Sequence, residues 1–507
     1  MRRRGFLLAG GAAVLGATMG ASVPWLISAG ETGRLLRSEM PLPQPFRVPL
    51  PIPPVLVPRA DETTDYYEIT QRVAMREIVP GVSTEIWGYD GIFPGPTIVS
   101  RSGRRTVVRY RNELPVPTVV HLHGGHTPAD SDGYPTDLIM PQGITGMHGH
   151  SMGHSDSRAV IADGMREYVY PMRQRAATHW YHDHRMDFTG PGVWRGLAGF
   201  HLIRDDEEAA LPLPAGDRDI PLLLTDRAFG SDGELLYPAV DPGMPGVRKE
   251  YRQGVLGDVI LVNGAPWPML EVAAVRYRFR VLNASNARRY RLALEPDSGG
   301  FSQIGSDGGL LAAPVRHDEI DIAPAERFDL VIDFSRYSVG EQVVLVNRLD
   351  SGPAGRVMAF RVVRAGRDDS RVPDRLSVIE PPRTDDAVTT RTFSFRDNGG
   401  MGWNVNGAPF EPDRITARPR LGDTEIWRFS TDFHHPIHLH LNQFQVLSRN
   451  GAAPGPYDAG WKDTINLRPA EIASVLVRFT DYRGRFLYHC HNLEHEDMAM
   501  MANFEVV

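Results

Sequence analysis

The sequence contains a single cysteine, Cys490, which lies between two histidines in the segment HCHNLEHEDMAM, residues 489–500. His495 and Met500 follow at short spacing, and His435 precedes them on a predicted strand. Two histidines, one cysteine and a weakly bound methionine form the ligand set of a blue-copper electron-transfer site. We therefore predict a copper ion held by these four side chains.

The neighbours of Cys490 are predicted to bind a different metal. Residues i and i+2 of a strand point to the same face, so His489 and His491 face away from the sulfur of Cys490. A bound metal would hold the thiol as thiolate. Zinc fits less well than copper, because a lone thiolate combined with histidine and methionine suits copper better. The alternative is a buried cysteine without a metal.

Ten of the 18 histidines fall into four clusters. The clusters are His121/His123, His182/His184, His435/His438/His440 and His489/His491/His495. Each His-x-His pair on a strand presents two imidazoles side by side. Four such pairs are too many for one ion and suit a cluster of about three metal ions. A one-electron site next to such a cluster could collect electrons singly and deliver four of them to dioxygen.

Short β-rich runs separated by turn signals fill the chain from Tyr66 onward, and amphipathic helical stretches are scarce. This pattern predicts an all-β protein made of about three β-sandwich domains. Residues 180–203 resemble residues 487–507, and residues 119–125 resemble residues 435–441. The first and last domains are therefore expected to be related and to share the metal cluster. The middle domain lacks a His-x-His pair and is expected to be a spacer.

The predicted organisation has five segments. They are a signal segment (1–30), a Pro-rich extended arm (31–60), domain 1 (61–206), domain 2 (207–380) and domain 3 (381–507). The arm is expected to be extended because residues 41–58 contain eight prolines, which disfavour helix. The trinuclear metal cluster is expected at the interface between domains 1 and 3.

Charge and leader sequence limit the partners and the location. The net charge of −7 is mild and no long basic run follows the N-terminal arginines, so nucleic acid is excluded as a partner. The start MRRRGFLLAGG resembles a twin-arginine signal, which predicts a periplasmic, cell-surface or extracellular protein. The alternative is an uncleaved membrane anchor. No other segment is long and apolar enough to predict a stable membrane span, and the oligomeric state is not predicted.

Together these motifs resemble the multicopper oxidase family, in particular the bacterial laccase group that includes the spore-coat laccase and is related to bilirubin oxidases and phenoxazinone synthase. The resemblance covers most of the chain after the leader. It rests on WGYDGIFPGPTI (87–98), VVHLHGGHTPADSDGYP (119–135), WYHDH (180–184), LVNGAPWPMLEV (261–272), APAERFDLVIDF (323–334), HPIHLH (435–440) and HCHNLEHEDMAM. It implies three cupredoxin-like Greek-key β-sandwich domains and four copper ions, one of type 1, one of type 2 and two of type 3.

The family motifs also imply a role for each ligand. They assign His435, Cys490, His495 and Met500 to type 1 copper, His121 and His438 to type 2, and His123, His182, His184, His440, His489 and His491 to the type 3 pair. His434 could compete with His435 in register, although the HPxHxH match favours His435. His179 and His201 are expected to be framework residues, and Asp183 a structural one.

Two carboxylates are candidates for proton delivery. Asp132 and Glu496 lie where the family places acids that serve the cluster, and four protons must arrive for each dioxygen reduced to water. The alternative for both is structural hydrogen bonding.

The leading functional hypothesis is a laccase-like oxidase that takes one electron at a time from phenols or aromatic amines and reduces dioxygen to water. Electrons are expected to enter at an exposed edge of His495. A bilirubin or o-aminophenol oxidase is a variant of this hypothesis. A cuprous oxidase that accepts Cu(I) is a second hypothesis, supported by the Met- and His-rich loop within residues 140–165. A copper-storage or electron-carrier protein is a third, and the complete histidine cluster argues against it.

Overall fold

The computed structural model describes residues 32–143, 156–241, 244–399 and 402–507. The predicted signal segment lies outside these ranges, as do the Met- and His-rich residues 144–155. Within the described ranges, we find no helix with both the length and the apolar character needed to cross a membrane.

Strands dominate the chain and form three β-sandwiches in succession, which confirms the predicted all-β, cupredoxin-like architecture. The first sandwich contains β2 (Arg59–Ala60), β3 (Thr64–Glu77), β4 (Ser83–Tyr89), β5 (Gly95–Arg101), β6 (Arg105–Asn112), β7 (Val120–His123), β8 (Ile139–Met140), β9 (Ala162–Asp163), β10 (Met165–Tyr170), β11 (Ala177–Asp183) and β12 (Ala198–Arg204). One sheet has the order β10-β6-β3-β2, with β4 also on β3, and the facing sheet has the order β5-β12-β11-β7. Tyr110 of one sheet and Tyr181 of the other meet in the core, with ring centroids 6.0 Å apart.

The second sandwich occupies the middle of the chain. Its strands and the short strands beside them are β13 (Asp219–Arg227), β14 (Ala239–Asp241), β15 (Met244–Val247), β16 (Val255–Gly257), β17 (Val259–Val262), β18 (Ala265–Pro266), β19 (Met269–Ala274), β20 (Arg276–Asn283), β21 (Tyr290–Glu295), β22 (Phe301–Ser306), β23 (Gly309–His317), β24 (Glu319–Ile322), β25 (Arg327–Asp333), β26 (Gln342–Asn347) and β27 (Arg356–Ala365). The sheet orders are β18-β17-β13-β20-β25-β22-β23 and β19-β27-β26-β21-β24. Phe279 and Phe360 pack between the two sheets, with ring centroids 5.2 Å apart.

The third sandwich contains β28 (Ala387–Asp397), β29 (Trp403–Val405), β30 (Ile415–Ala417), β31 (Thr424–Thr431), β32 (His435–Leu439), β33 (Phe444–Arg449), β34 (Thr464–Leu467), β35 (Ile472–Arg478), β36 (Gly484–Cys490) and β37 (Met501–Val506). Its sheets have the orders β29-β28-β31-β35-β33 and β30-β37-β36-β32-β34. Parallel pairs between strands distant in sequence, such as β28 with β31, reflect the long connections of Greek-key sandwiches.

Helices are short and lie at the joins between sandwiches. The α-helices are α1 (Thr189–Arg195), α2 (Asp206–Ala209) and α3 (Leu493–Asp497). Single 3₁₀ turns cover Ala129–Ser131, Gly216–Arg218, Lys249–Tyr251, Phe334–Arg336, Gly352–Gly355 and Thr384–Asp386. Helix α1 of the first sandwich packs against α3 of the third, directly after the last histidine motif.

The Pro-rich segment runs in extended form over the first two sandwiches. Strand β1 (Arg34–Leu36) pairs in parallel with β16. Further along, Pro49 bridges to Met269 of the second sandwich and Val55 bridges to Thr97 of the first. Proline fixes an extended backbone and lacks a donor, which suits a strap held by isolated bridges. The domain boundaries proposed from the sequence stay predictions.

A buried ion network lies where the first and second sandwiches meet, and Nη1 of its Arg280 donates to the hydroxyl of Thr178 in β11 at 3.2 Å. Arg280 of β20 donates from Nη2 to Glu208 Oε1 at 2.6 Å and from Nε to Asp219 Oδ1 at 2.8 Å. Burial opposes ionisation of Glu208, but Arg280 and Arg278 lower its pKa to about 2. The stabilisation from this carboxylate is therefore complete above its ordinary pKa of 4.5 and is lost as the pH falls toward about 2.

We predict that Arg280→Met lowers the free energy of unfolding by about 3 kcal/mol, because it leaves two buried carboxylates without a main partner. Guanidinium unfolding of the copper-free protein at neutral pH measures the change. Arg367→Met is the matched control, since Arg367 and its partner Asp369 have side chains 88% and 75% exposed. The control should shift the free energy by less than about 0.5 kcal/mol. Equal effects of the two substitutions would contradict the structural role of the buried network.

Candidate metal centre

Two histidine pairs of the first sandwich lie side by side on neighbouring strands. β7 and β11 pair antiparallel, with His121 opposite His182 and His123 opposite Trp180. His184 follows the end of β11 and returns to the same face as His182. The alternation of side chains along each strand thus places four imidazoles on one surface of this sandwich.

The third sandwich presents a matching set. β32 and β36 pair antiparallel, with His438 opposite His489, and His440 and His491 follow directly after these strands. Strand β36 is buried on both faces at its C-terminal end, because one face packs on the sandwich core and the other on the first sandwich. All eight imidazoles are at most 1% exposed. They form what we call the eight-histidine cluster, which comprises His121, His123, His182, His184, His438, His440, His489 and His491.

Ligand atoms of the eight-histidine cluster converge in three groups, two of which share His123, with the atoms of each group within 4.8 Å of one another. The groups are His121/His123/His438, His123/His182/His491 and His184/His440/His489. Each group takes histidines from both sandwiches. The structure thus brings together all eight predicted cluster residues at the interface between the first and third sandwiches.

The hydrogen bonds of these rings favour a cation between them. Nδ1 of His121 donates to the carbonyl of Asp132, and Nδ1 of His438 donates to the carbonyl of Asp463 at 2.9 Å. A neutral imidazole carries one proton, so Nε2 of each ring is a bare acceptor. These two Nε2 atoms lie 3.4 Å apart. Two lone pairs that face each other repel, and a metal ion between them removes this repulsion.

The same arrangement recurs elsewhere in the cluster. Nε2 of His489 lies 3.2 Å from Nε2 of His440 and 3.4 Å from Nε2 of His184. In the described part of the chain, Nε2 of His182 and both ring nitrogens of His491 have no hydrogen-bond partner. Burial, followed by neighbouring histidines, lowers the pKa of His182 to about 3. Unprotonated, converging nitrogens are the donor set of a metal site.

The two predicted carboxylates border the cluster. Oδ2 of Asp132 accepts from Nδ1 of His440 at 2.8 Å. Oε1 of Glu496 lies 3.4 Å from Nδ1 of His184, and its Oε2 lies 3.2 Å from Nδ1 of His489. Burial raises the pKa of Asp132 well above its ordinary value. Burial opposes ionisation of Glu496, but His489 and His184 lower its pKa to about 2.

The second site lies on the other side of β36, inside the third sandwich. Sγ of Cys490 is 3.3 Å from Nδ1 of His435 and 3.5 Å from Nδ1 of His495, and these two nitrogens are 3.1 Å apart. Burial raises the pKa of the Cys490 thiol well above its ordinary value, so a thiolate here needs a bound cation. The backbone N–H of Asn492 donates to this sulfur at 3.4 Å.

The structure also gives the contacts of three other residues that the sequence analysis considered, Met500, His434 and Asp183. Met500 is fully buried beside Cys490 in the same core, and the backbone N–H of Cys490 donates to its carbonyl at 3.1 Å. His434 contacts Arg289, so His435 has the register that faces Cys490. Asp183 accepts from the backbone N–H of Val119 at 2.9 Å, which is a structural contact.

Comparison with known proteins identifies the family. Residues 72–146 and 359–507 match family profiles described as multicopper oxidase. A laccase of Bacillus subtilis (strain 168) is 37% identical, over 90% of this chain and 97% of its own length. The chain belongs to the multicopper oxidase family. A bilirubin oxidase of Albifimbria verrucaria is a further relative at 34% identity, covering 90% of this chain and 81% of its own length.

Solved structures give the same result. The crystal structure of a multi-copper oxidase from Pediococcus acidilactici matches with a TM-score of 0.81 and 33% identity, covering 94% of this chain and 93% of that chain. This chain is therefore a laccase-like multicopper oxidase, an oxidoreductase that uses copper and reduces dioxygen. The converging nitrogens and the buried thiol described above fit copper, which accepts imidazole and soft sulfur ligands.

The expectation of an exposed edge on His495 is wrong. His495 is 0% exposed. Its Nε2 donates to the carbonyl of Gln253, at 3.2 Å, from the second sandwich. The indole of Trp403 covers its face, with ring centroids 3.7 Å apart and planes at 32°. Gln253 and Trp403 are both distant from His495 in the sequence, so the HCHNLEHEDMAM motif alone could not predict that they cover it.

Sequence reasoning also missed Asp463 and Arg327, which lie against the eight-histidine cluster. Arg327 is part of the stretch APAERFDLVIDF, which carried the family resemblance, but nothing in its spacing pointed to a metal. Asp463 lies in GWKDTI, which contains no histidine. Hydrogen-bond partners of metal ligands are common in metalloproteins, but their sequence positions vary with the fold.

We predict that Cys490→Ser removes the intense blue absorption of the copper-loaded multicopper oxidase and lowers its copper content by about one ion per chain, because the thiolate ligand is lost. Visible absorption and copper analysis measure the two effects. His126→Asn is a matched control, since His126 bonds Leu441 and Asp481 outside both metal sites. Blue absorption that survives in the serine variant would refute the assignment of Cys490.

Proposed function

We propose that this multicopper oxidase is a laccase that removes single electrons from phenols and aromatic amines and passes four of them to dioxygen, giving water. The observation that carries the proposal is the arrangement around β36. One buried thiol and an eight-imidazole cluster lie on opposite faces of the same strand end, joined by the peptide linkages of His489, Cys490 and His491.

We propose the following ligand assignment for the four copper ions. Type 1 copper is held by His435, Cys490, His495 and Met500, type 2 by His121 and His438, and the type 3 pair by His123, His182 and His491 for one ion and His184, His440 and His489 for the other. The grouping of ligand atoms supports this division, since each type 3 triplet forms one of the three-residue groups. Bound copper supplies the one-electron redox chemistry and the binding of dioxygen.

The protein's own groups then have separate tasks. The His489-Cys490-His491 segment gives a short covalent connection between the two sites. Asp132 accepts from Nδ1 of His440, which fixes the orientation of that ring. Glu496 lies 3.4 Å from Nδ1 of His184 and 3.2 Å from Nδ1 of His489, where its charge favours protons on those two nitrogens. We propose that the same two carboxylates pass protons toward the cluster, since dioxygen reduction consumes four. Oε1 of Glu496 accepts from the hydroxyl of Thr189 at 2.7 Å, which supplies a first proton donor on this route.

The residues that cover His495 affect which electron donors can approach the type 1 copper site. Trp403 has its own face covered by Arg252, whose guanidinium carbon is 5.2 Å from the ring centroid, and Arg252 forms an ion pair with Asp397. Trp403 is itself 1% exposed, so an electron donor docks against the charged side chains of Arg252 and Asp397 rather than against a bare imidazole. Planar aromatic donors suit contact with such a surface.

A cuprous oxidase is the second candidate, and its support is the sequence of the loop within residues 140–165. Thioether and imidazole groups are ligands that Cu(I) accepts. Export by a twin-arginine route belongs to the same proposal, since it would place the protein where envelope copper is met. A storage or carrier protein is excluded as the main role by membership in an oxidoreductase family.

We predict that the copper-loaded protein consumes oxygen faster with a phenolic donor than with Cu(I) at equal concentration. An oxygen electrode measures both rates on one preparation. A dominant Cu(I) rate would replace the laccase proposal by the cuprous oxidase. Deletion of residues 146–155 also distinguishes the laccase from the cuprous oxidase. If the loop binds Cu(I), its deletion should lower the rate of oxygen consumption with Cu(I) but not the rate with the phenolic donor.

We also predict that Trp403→Ala raises kcat/KM for bulky phenols, because the His495 edge becomes reachable when the indole is removed. Trp403→Phe keeps a ring over the imidazole and should change kcat/KM less. Copper content and blue absorption of both variants must match the wild type for the comparison to hold. Unchanged kcat/KM for every donor in the alanine variant would show that electrons enter by another face.

A further inference from the structure

Asp463 lies against two histidines of the cluster that belong to different sandwiches. Its Oδ1 lies 3.1 Å from Nε2 of His123 in the first sandwich. Its backbone carbonyl accepts from Nδ1 of His438 in the third sandwich at 2.9 Å. Asp463 is buried, with a side chain 1% exposed. One residue thus touches a ring nitrogen on each side of the interface.

These two contacts select opposite ring tautomers. Nε2 of His123 faces Asp463 Oδ1 and Thr464 Oγ1, each at 3.1 Å, and the Thr464 hydroxyl itself donates to Asp463 Oδ1. The proton of His123 is therefore on Nε2, and Nδ1 has no partner within the ranges that the structure covers. In His438 the proton is on Nδ1, which leaves Nε2 free to face Nε2 of His121 at 3.4 Å. The partner of one imidazole nitrogen decides which other nitrogen can bind a metal.

The side chain of Asp463 is itself fixed by the middle sandwich. Nη1 of Arg327, the first residue of β25, donates to Asp463 Oδ1 at 2.7 Å, and Nη2 donates to Oδ2. Nε of the same guanidinium donates to the carbonyl of Thr178 in the first sandwich at 2.9 Å. A planar, bidentate guanidinium allows the carboxylate only one orientation. The expectation that the middle domain is only a spacer is wrong for this face.

We infer that Asp463 is a positioning residue of the eight-histidine cluster and that Arg327 of the middle sandwich positions Asp463. The inference rests on the proposed function, because it concerns how the oxygen-reducing cluster is built. It gives all three sandwiches a part in that cluster: the first and third contribute imidazoles, and the second contributes the guanidinium that orients the carboxylate against His123.

The competing explanation is that this ion pair only stabilises the fold. The chain offers a matched control for it in Lys462. Nζ of Lys462 is fully buried in the same network, 3.2 Å from Asp307 Oδ2 and 3.3 Å from Glu326 Oε1. Asp307 in turn accepts from the backbone N–H of Arg327 at 2.8 Å. Within the described residues, the Lys462 ammonium has Ser306, Asp307 and Glu326 as its hydrogen-bond and ion-pair partners, and none of these is a cluster histidine.

The test compares Asp463→Asn, Arg327→Lys and Lys462→Met in the full-length, copper-loaded protein. Asparagine keeps the size of the side chain but offers one acceptor, which Arg327 takes, so an amide N–H faces His123 and the tautomer is disturbed. We expect the copper affinity of the cluster, measured by competition with a chelator, to fall by about 10- to 100-fold. The electron paramagnetic resonance signal of type 2 copper should change, while the blue absorption of the Cys490 site stays.

The other two variants decide between the explanations. Arg327→Lys keeps the positive charge but loses the bidentate guanidinium. It should therefore change the copper affinity and the type 2 signal in the same direction as Asp463→Asn, but by less. Lys462→Met should lower the melting temperature while leaving the type 2 signal as in the wild type. Wild-type affinity and signal in Asp463→Asn, or the same signal change in Lys462→Met, would overturn the inference. A wild-type protein that binds copper without consuming oxygen would overturn the proposed function instead, and the affinity comparison would still test the positioning role.

Discussion

Unprotonated imidazole nitrogens held face to face inside a buried interface are the constraint on which the structure depends. Pairs of Nε2 atoms in the cluster are as close as 3.2 Å, although each ring already donates its proton elsewhere. Such an arrangement is unfavourable for the bare protein and becomes favourable when cations occupy it. The buried sandwich interface and the hydrogen-bonded carboxylates serve to keep these nitrogens in place.

The two-residue period of a β-strand explains how two different metal sites share one strand end. In β36 the imidazole of His489 points toward the first sandwich and the sulfur of Cys490 points into its own core. Both faces are buried. A helix could not separate adjacent residues in this way, because neighbours on a helix are about 100° apart. The fold therefore gives an electron path of minimal length without any dedicated linker.

The sequence was sufficient for the parts of the site that follow a local rule. His-x-His spacing on strands predicted which imidazoles share a face, and the structure brings all eight together. It was insufficient where a contact joins distant segments. The indole of Trp403 and the carbonyl of Gln253 cover His495 from two other parts of the chain, and Arg327 reaches Asp463 from another sandwich. Such contacts depend on how complete sandwiches pack, which no short motif records.

The most direct test of the central claim is anomalous diffraction at the copper edge from crystals of the copper-loaded protein. The account predicts one peak enclosed by His435, Cys490 and His495 and three peaks among the eight imidazoles, each at a position where ring nitrogens converge. Copper at the mononuclear position alone, or peaks placed away from the facing nitrogens, would contradict the claim that these lone pairs exist to bind a copper cluster.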